Sequence, residues 1–447
     1  MAVTTIGTDL SPAVQLVLLA CIGLTVITVG YLREEDVFSP LGFVGLAYLM
    51  GWFGPSLDYA IRGDANNFLF GNGINYLVVP MGMSVLAVAL LVVAYVSPTG
   101  ERIARHVPEL TVQWDEDRAL TAVKVCCLVG TVSLIIFFYT SVGWPTSLAE
   151  ISDKRDLPTL YIRWGTDLFQ VAAVLYFLNI VKTGTSLRSQ QGVVLGILVI
   201  LGNITPFVAS SRSRLLWFFV LLVVCYHYSR RELKIGELAA VVAVVGLFAK
   251  VMLGLRRIAR YESLSLWDLP TYLLSVESFS AIAGAKRTEL TIVSHIYHMV
   301  PEQFPPMFGE TLLYPFVFPI PRRVWQSKPA NIGDQLGSAV YDIPAGTPPS
   351  LVGELYLNFM MIGVIVGAIV LGILLRFGYE YFEPGSSSEV SLVIYALIAI
   401  HFGTRLFTGQ MTSLITLIQW LVSLAVIFLF INGIPSTYKR TIEHLTS

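Results

Sequence analysis

The chain has 447 residues, of which 55% are hydrophobic and 13% charged, and its mean hydropathy is +0.70. Soluble globular chains carry about 25% charged residues, so this composition excludes an ordinary soluble domain. The formal net charge of −1 offers no electrostatic footing for nucleic acid or for a strongly charged soluble partner.

A helical membrane span needs about 20 predominantly apolar residues. Windows of that kind fall near 13–32, 41–61, 75–97, 119–140, 161–181, 191–209, 213–229, 236–255, 351–376, 388–407 and 412–432. The expectation is an all-α polytopic integral membrane protein with about 11 (10–12) transmembrane helices. No Lys or Arg precedes the first window between Met1 and Ser11, so it lacks the basic start of a cleaved signal peptide and is read as a retained span. Cys21, Cys126, Cys127 and Cys225 all lie inside apolar windows, a pattern that gives neither a disulfide framework nor a metal set. No repeat or linker divides the chain, and residues 1–447 read as a single transmembrane domain.

Basic residues set the expected orientation. Arg33, Arg102, Arg105, Arg118, Lys182, Arg188, Arg230, Arg231, Lys234, Arg376, Lys439 and Arg440 fall in one set of connections. Arg62, Lys154, Arg155, Arg212 and Arg214 fall in the other. The richer set is expected in the cytoplasm with the C-terminus, which leaves the long 256–350 connection outside.

Along the outer side the first feature is Gly143-Trp144-Pro145 with Glu150, Asp153, Lys154, Arg155 and Asp156, read as a solvated face. Ser210-Ser211-Arg212-Ser213-Arg214 follows in a short turn between two windows. Cations beside hydrocarbon either snorkel to headgroups or converge on an anionic ligand. With serines around Arg212 and Arg214, the ligand is favoured. Arg256, Arg257 and Arg260 then leave the eighth window, where they either anchor to headgroups or touch substrate.

A loop as long as 256–350 calls for structure of its own. Tyr272–Ala283 and Arg287–Val300 both carry helical apolar stripes, the second through Leu290, Val293, Tyr297 and Val300. Both are too short to span and are expected at the membrane surface or re-entering part-way. His295, His298 and Glu302 share a face of the second stripe, as metal ligands would, although interface helices commonly expose His there; no metal is assigned.

Next comes Phe318-Pro319-Ile320-Pro321-Arg322-Arg323-Val324-Trp325-Gln326-Ser327-Lys328-Pro329. Its prolines deny a helix and stiffen the turn, so Arg322, Arg323 and Lys328 are presented where a lipid phosphate can reach them. Asp334 and Asp342 follow as weak base candidates. Gly353-Glu354-Leu355-Tyr356-Leu357-Asn358-Phe359 opens the ninth window, and a carboxylate there is a functional candidate by default. Glu354 is either an ion-pair partner or a general base. Arg405, with His401 one turn earlier, either lines a cavity or pairs with Glu354. Walker-type, dinucleotide-binding, nucleophile-elbow and His-Glu-x-x-His signatures are missing, so the sequence gives no support for nucleotide-driven chemistry.

Arg212 within Ser-Ser-Arg-Ser-Arg, Pro321-Arg322 followed by Trp325 and Lys328-Pro329, and the Gly353–Phe359 run resemble the pattern of Wzy-type O-antigen and oligosaccharide repeat-unit polymerases. The plan of many spans with one large outer loop in the C-terminal half is similar as well. Met360 departs from the pattern, since members often have glycine after Asn-Phe. The resemblance implies a GT-C-like membrane fold in the inner (cytoplasmic) membrane and a metal-independent glycosyltransferase without cofactor. Its substrate would be a polyprenyl-diphosphate-linked oligosaccharide moved onto the terminal sugar of a lipid-linked acceptor. Partners would be membrane lipids, a flippase and a chain-length regulator. On that resemblance Glu354, Arg322 and Arg212 would be catalytic, with Arg323, Lys328, Arg214, Arg405, Tyr356, Asn358 and Trp325 binding substrate. Glycan ligation and transport of a lipid-linked oligosaccharide are the competing expectations.

Overall fold

The computed structural model describes residues 10–34, 36–62, 73–108, 114–142, 157–186, 189–208, 212–234, 236–241, 288–341, 347–382, 388–405 and 414–432, with 243, 244, 247, 251, 384, 407, 408 and 411. Regular structure among these residues is helical throughout. The helices are α1 (Pro12–Tyr31), α2 (Pro40–Tyr48), α3 (Gly54–Arg62), α4 (Asn75–Val96), α5 (Thr99–His106), α6 (Glu116–Phe137), α7 (Leu157–Lys182) and α8 (Gln190–Val208). They continue with α9 (Arg212–Ser229), α10 (Glu289–Met299), α11 (Glu310–Val317), α12 (Ile332–Tyr341), α13 (Ser350–Phe382), α14 (Glu389–Arg405) and α15 (Leu414–Asn432). Six of them, α1, α4, α6, α7, α13 and α15, are long and apolar enough to cross a membrane, while α8, α9 and α14 are apolar but shorter. Half of the eighth window, 236–255, lies outside the described residues.

Local sequence explains several boundaries. Ser11-Pro12 and Ser39-Pro40 place proline in the first turn of α1 and α2, where its missing N–H is not needed. Asp115 caps α6 by accepting from the Arg118 N–H at 3.0 Å. The second window forms a continuous helical run in which a π-helical turn, Leu49–Phe53, lies between α2 and α3. Its Trp52 donates Nε1–H to the Phe407 carbonyl at 3.1 Å, and a Cβ on Gly51 would meet that oxygen at 2.8 Å, so glycine permits the approach.

The chain folds into two compact units interleaved in sequence. The first unit takes residues 1–108, 280–382 and 397–417, and the second takes 109–279, 383–396 and 418–447. In the first unit α1, α4 and α13 pack around a core that includes Leu16, Tyr48, Trp52, Leu77, Met81, Leu91 and Tyr95. The C-terminal ends of these helices meet in a polar clasp. Arg376 pairs with Glu34 at 2.6 Å and with Glu380 at 2.5 Å, and Tyr95 donates its hydroxyl to Glu34 at 2.9 Å. Tyr379 donates to Asp36 at 3.1 Å. In the second unit α7 is central, with Val171–Leu175 and Leu178 buried and Phe169 laid against Gly130 of α6. Its Asp167 pairs with Arg214 at 3.4 Å.

For Arg287–Val300 the structure goes against the surface placement and leaves the re-entering one: in α10, Leu290 through Ile296 are all buried against α4, α13 and the π-helical turn. Its polar side chains fold back on their own backbone. Ser294 donates to Leu290 O at 2.7 Å, Thr291 donates to Thr288 O at 2.8 Å, and His295 Nδ1 lies 2.6 Å from Thr291 O. Satisfied this way, they can enter a core that their polarity alone argues against.

Candidate functional site at a broken helix

Helix α13 is two helices in one run. Phe359 (φ −136°, ψ 18°) and Met360 (φ +54°, ψ −144°) break it one residue after Asn358. The first piece, 350–358, is seated against α10 at Gly353, where a Cβ would meet Val293 at 3.0 Å and Ile296 at 3.1 Å. Beyond the break, Gly363 and Gly367 leave room for Leu355, whose side chain would stand 2.5 Å from a Cβ at 367. Small residues four apart allow this close return.

Breaking a helix orphans its last carbonyls. Here residues 307–309 cap them from almost fifty positions away. Met307 N–H donates to Leu357 O at 3.1 Å and Phe308 N–H to Asn358 O at 3.2 Å. Gly309 N–H donates to the Asn358 side-chain oxygen at 2.8 Å. The Asn358 amide in turn donates to the Thr311 hydroxyl at 2.6 Å and to Glu354 O at 2.7 Å. Asn358 is therefore engaged on every side by the fold.

Glu354 sits one turn before the break and is fully buried. Its Oε2 accepts from the Met411 N–H at 2.8 Å, and its Oε1 has no hydrogen-bond partner among the described residues. Among the described residues it makes no ion pair. A second carboxylate, Glu289 at the start of α10, approaches the same 407–411 stretch: its Oε2 lies 3.5 Å from a Cβ built on Gly51, as does Thr408. Burial pushes the Glu289 pKa up to about 7.

The basic turn is attached to this network through α11. Thr311 stands in its first turn, and Tyr314 and Phe318 at its far end lie under the Lys328 ammonium, at 5.6 and 5.0 Å from the ring centres. Lys328 is buried and donates to Phe318 O at 2.6 Å and Ile320 O at 3.0 Å. Burial, then the neighbouring Arg322 charge, lowers its pKa. Arg322 donates to Lys328 O at 2.9 Å and Pro329 O at 3.1 Å. These two cations brace the turn as well as charging it. Arg323, Val324 and Trp325 point outward, and Trp325 Nε1–H donates to Ser327 at 2.9 Å.

Other expected site residues are placed differently. Tyr356 is buried with its ring 5.4 Å from that of Tyr297, a core contact. Arg214 belongs to the second unit and to Asp167. Arg212 opens α9 and Arg405 closes α14, with side chains outside the described ones. Ser210-Ser211, Arg256, Arg257, Arg260, Tyr272–Ala283, Asp342 and the charged 143–156 stretch also lie outside the described residues. His298 stacks on Tyr76 at 3.7 Å and His295 meets that ring edge-on, so the two rings serve packing. Among the described residues no group of His, Cys, Asp and Glu could hold a metal ion. Thr311, Glu289 and Asp167 were missed by sequence reasoning. A signal existed for Asp167, a lone acid in an apolar window.

No protein-family profile, curated protein or solved structure matches this chain.

Proposed function

We propose that this chain is a membrane glycosyltransferase acting on a glycan carried by a polyprenyl diphosphate. A hydroxyl oxygen of the acceptor sugar bonds to the anomeric carbon of the donor, the bond from that carbon to the diphosphate breaks, and the diphosphate leaves as an anion. The hydroxyl proton passes to Glu354. Arg322 and Arg323 stabilise the charge growing on the leaving group, an interaction stronger in the transition state than in the ground state.

The supporting observation is that one short helix, α11, joins a buried carboxylate with a free oxygen to a braced basic turn. In this reading α11 ties the helix that carries the proton acceptor to the turn that carries the leaving-group cations. Arg322 has five N–H donors and gives two to carbonyls of the turn. Glu354 is enclosed, so the reading requires the Met411 segment to move aside for substrate. In this reading the Glu354 end of the first unit faces outward and the Arg376 clasp faces the cytoplasm.

The break in α13 favours a second reading, since interrupted spans are the usual binding elements of transporters. Purified protein incubated with a lipid-linked oligosaccharide separates the two. A ladder of longer glycans is expected, and Arg322→Ala or Glu354→Gln should abolish it at normal protein level while the single-unit glycolipid persists. An undiminished ladder from Arg322→Ala removes the site assignment. Glycolipid movement across the bilayer without a new glycosidic bond makes the chain a transporter, and transfer only to a separate core lipid or protein makes it a ligase.

A further inference from the structure

The outward face of α11 and the basic turn is apolar. Thr311 and Tyr314 point into the protein, while Leu313 (61% exposed) and Phe316 (64%) point out. Phe308 (78%) precedes them, and Val324 (77%) and Trp325 follow. A helix with its hydroxyls inside and its Leu and Phe outside is reversed relative to a water-facing helix. The same surface continues onto α13. Ile362, Val366, Val370 and Leu374 are exposed at helical spacing beyond the break, and Phe359, exposed at the break itself, sits 3.2 Å from a Cβ built on Gly309. The lipid-facing stripe of α13 therefore runs without interruption into Phe308 and α11. Arg322, Arg323 and Trp325, all exposed, follow α11 in the chain, and cations and an aromatic beside an apolar face are the residues that a bilayer boundary selects.

We propose that residues 308–325 form a wedge inserted in the bilayer leaflet at the Glu354 end of the first unit. Leu313, Phe316 and Val324 lie at acyl-chain depth, and Arg322 and Arg323 lie at the level of the lipid phosphates. The Lys328 brace keeps the wedge rigid, because its ammonium holds Phe318 and Ile320 from the protein side and leaves the opposite side to lipid. Exposed Glu310, the remaining charge of this face, sits in the first turn of α11, where the helix dipole favours an acid. The inference is independent of whether the site transfers glycans or transports them.

Spin labels on the full chain in lipid nanodiscs with a fraction of anionic lipid test it. Cys21 is exposed and Cys127 partly so, and both are replaced by alanine; Cys126 and Cys225 are buried and stay. Single cysteines are introduced as Phe316→Cys and Val324→Cys. Ile362→Cys is the lipid reference, and Arg105→Cys, at a side chain 73% exposed on α5, is the aqueous one. Labels at 316 and 324 should collide with oxygen as the label at 362 does and lose the collisions with a water-soluble nickel chelate seen at 105. Nickel collisions matching those at 105 at both positions overturn the wedge. Loss of both kinds of collision also overturns it, since protein then covers the face. Because both side chains are exposed, the two labels report independently and neither needs to unsettle the core.

Discussion

At Met360 the backbone takes φ +54° and ψ −144°, a region that belongs to glycine and that costs other residues about 1–3 kcal/mol. A glycine at 360 would carry no such cost. Met360→Gly is expected to raise stability by about 1 kcal/mol, read as a higher melting temperature of the solubilised protein. An unchanged or lower melting temperature would show the strain to be offset by the side chain's packing. Glu289 gives a pH-dependent prediction. Its folded pKa, near 7, lies above that of an unfolded glutamate, so the native state holds the proton more tightly. Stability from this group is complete below about pH 4.5 and is lost as the pH rises through 7. Glu289→Gln should flatten the melting temperature across that window; a slope equal to that of the parent chain would dismiss the effect. Glu354 was legible as a carboxylate in an apolar window. Its partner was not, because a backbone N–H at Met411 leaves no trace in side-chain chemistry.

The reading of elements fails and succeeds for identifiable reasons. Sequence patterning located α13 and the turn after Phe318, because long apolar runs and prolines act through the local chain. It left α10 between a surface and a re-entering placement, because Thr291, Ser294 and His295 bond within their own helix and become buriable, a compensation that hydropathy does not count. It also gave all three cations of the turn to a ligand, although Lys328 lies inside and holds two carbonyls. Lys328→Met keeps the stem and removes the ammonium, leaving the Phe318 and Ile320 carbonyls without it. The expected loss is about 1–3 kcal/mol, with faster tryptic cleavage after Arg322 and Arg323. Cleavage at the parent rate would mean that the prolines alone stiffen the turn.

At the scale of the whole molecule, each unit is assembled from segments far apart in the chain, an arrangement that leaves no signal in local sequence. The helical membrane class, by contrast, follows from composition alone. The Arg376 clasp holds the first unit at its other end, and Arg376→Met would leave Glu34 without a cation at a position whose side chain is 8% exposed. Fully buried pairs broken on one side lose about 3–5 kcal/mol; partial exposure of Arg376 reduces the expectation to about 1–3 kcal/mol. Thermal unfolding in detergent would register this loss, and a melting curve that does not move would reduce the clasp to a surface contact.

That clasp also bears on biogenesis. Glu34 and Arg376 are 342 positions apart, so the ribosome delivers α1 and α4 long before the guanidinium they await has been made. Until α13 is inserted, Glu34 beside the C-terminal ends of α1 and α4 has the Tyr95 hydroxyl but lacks its cation. A nascent chain halted before α13 would present that acid to membrane quality control as the mark of unfinished work.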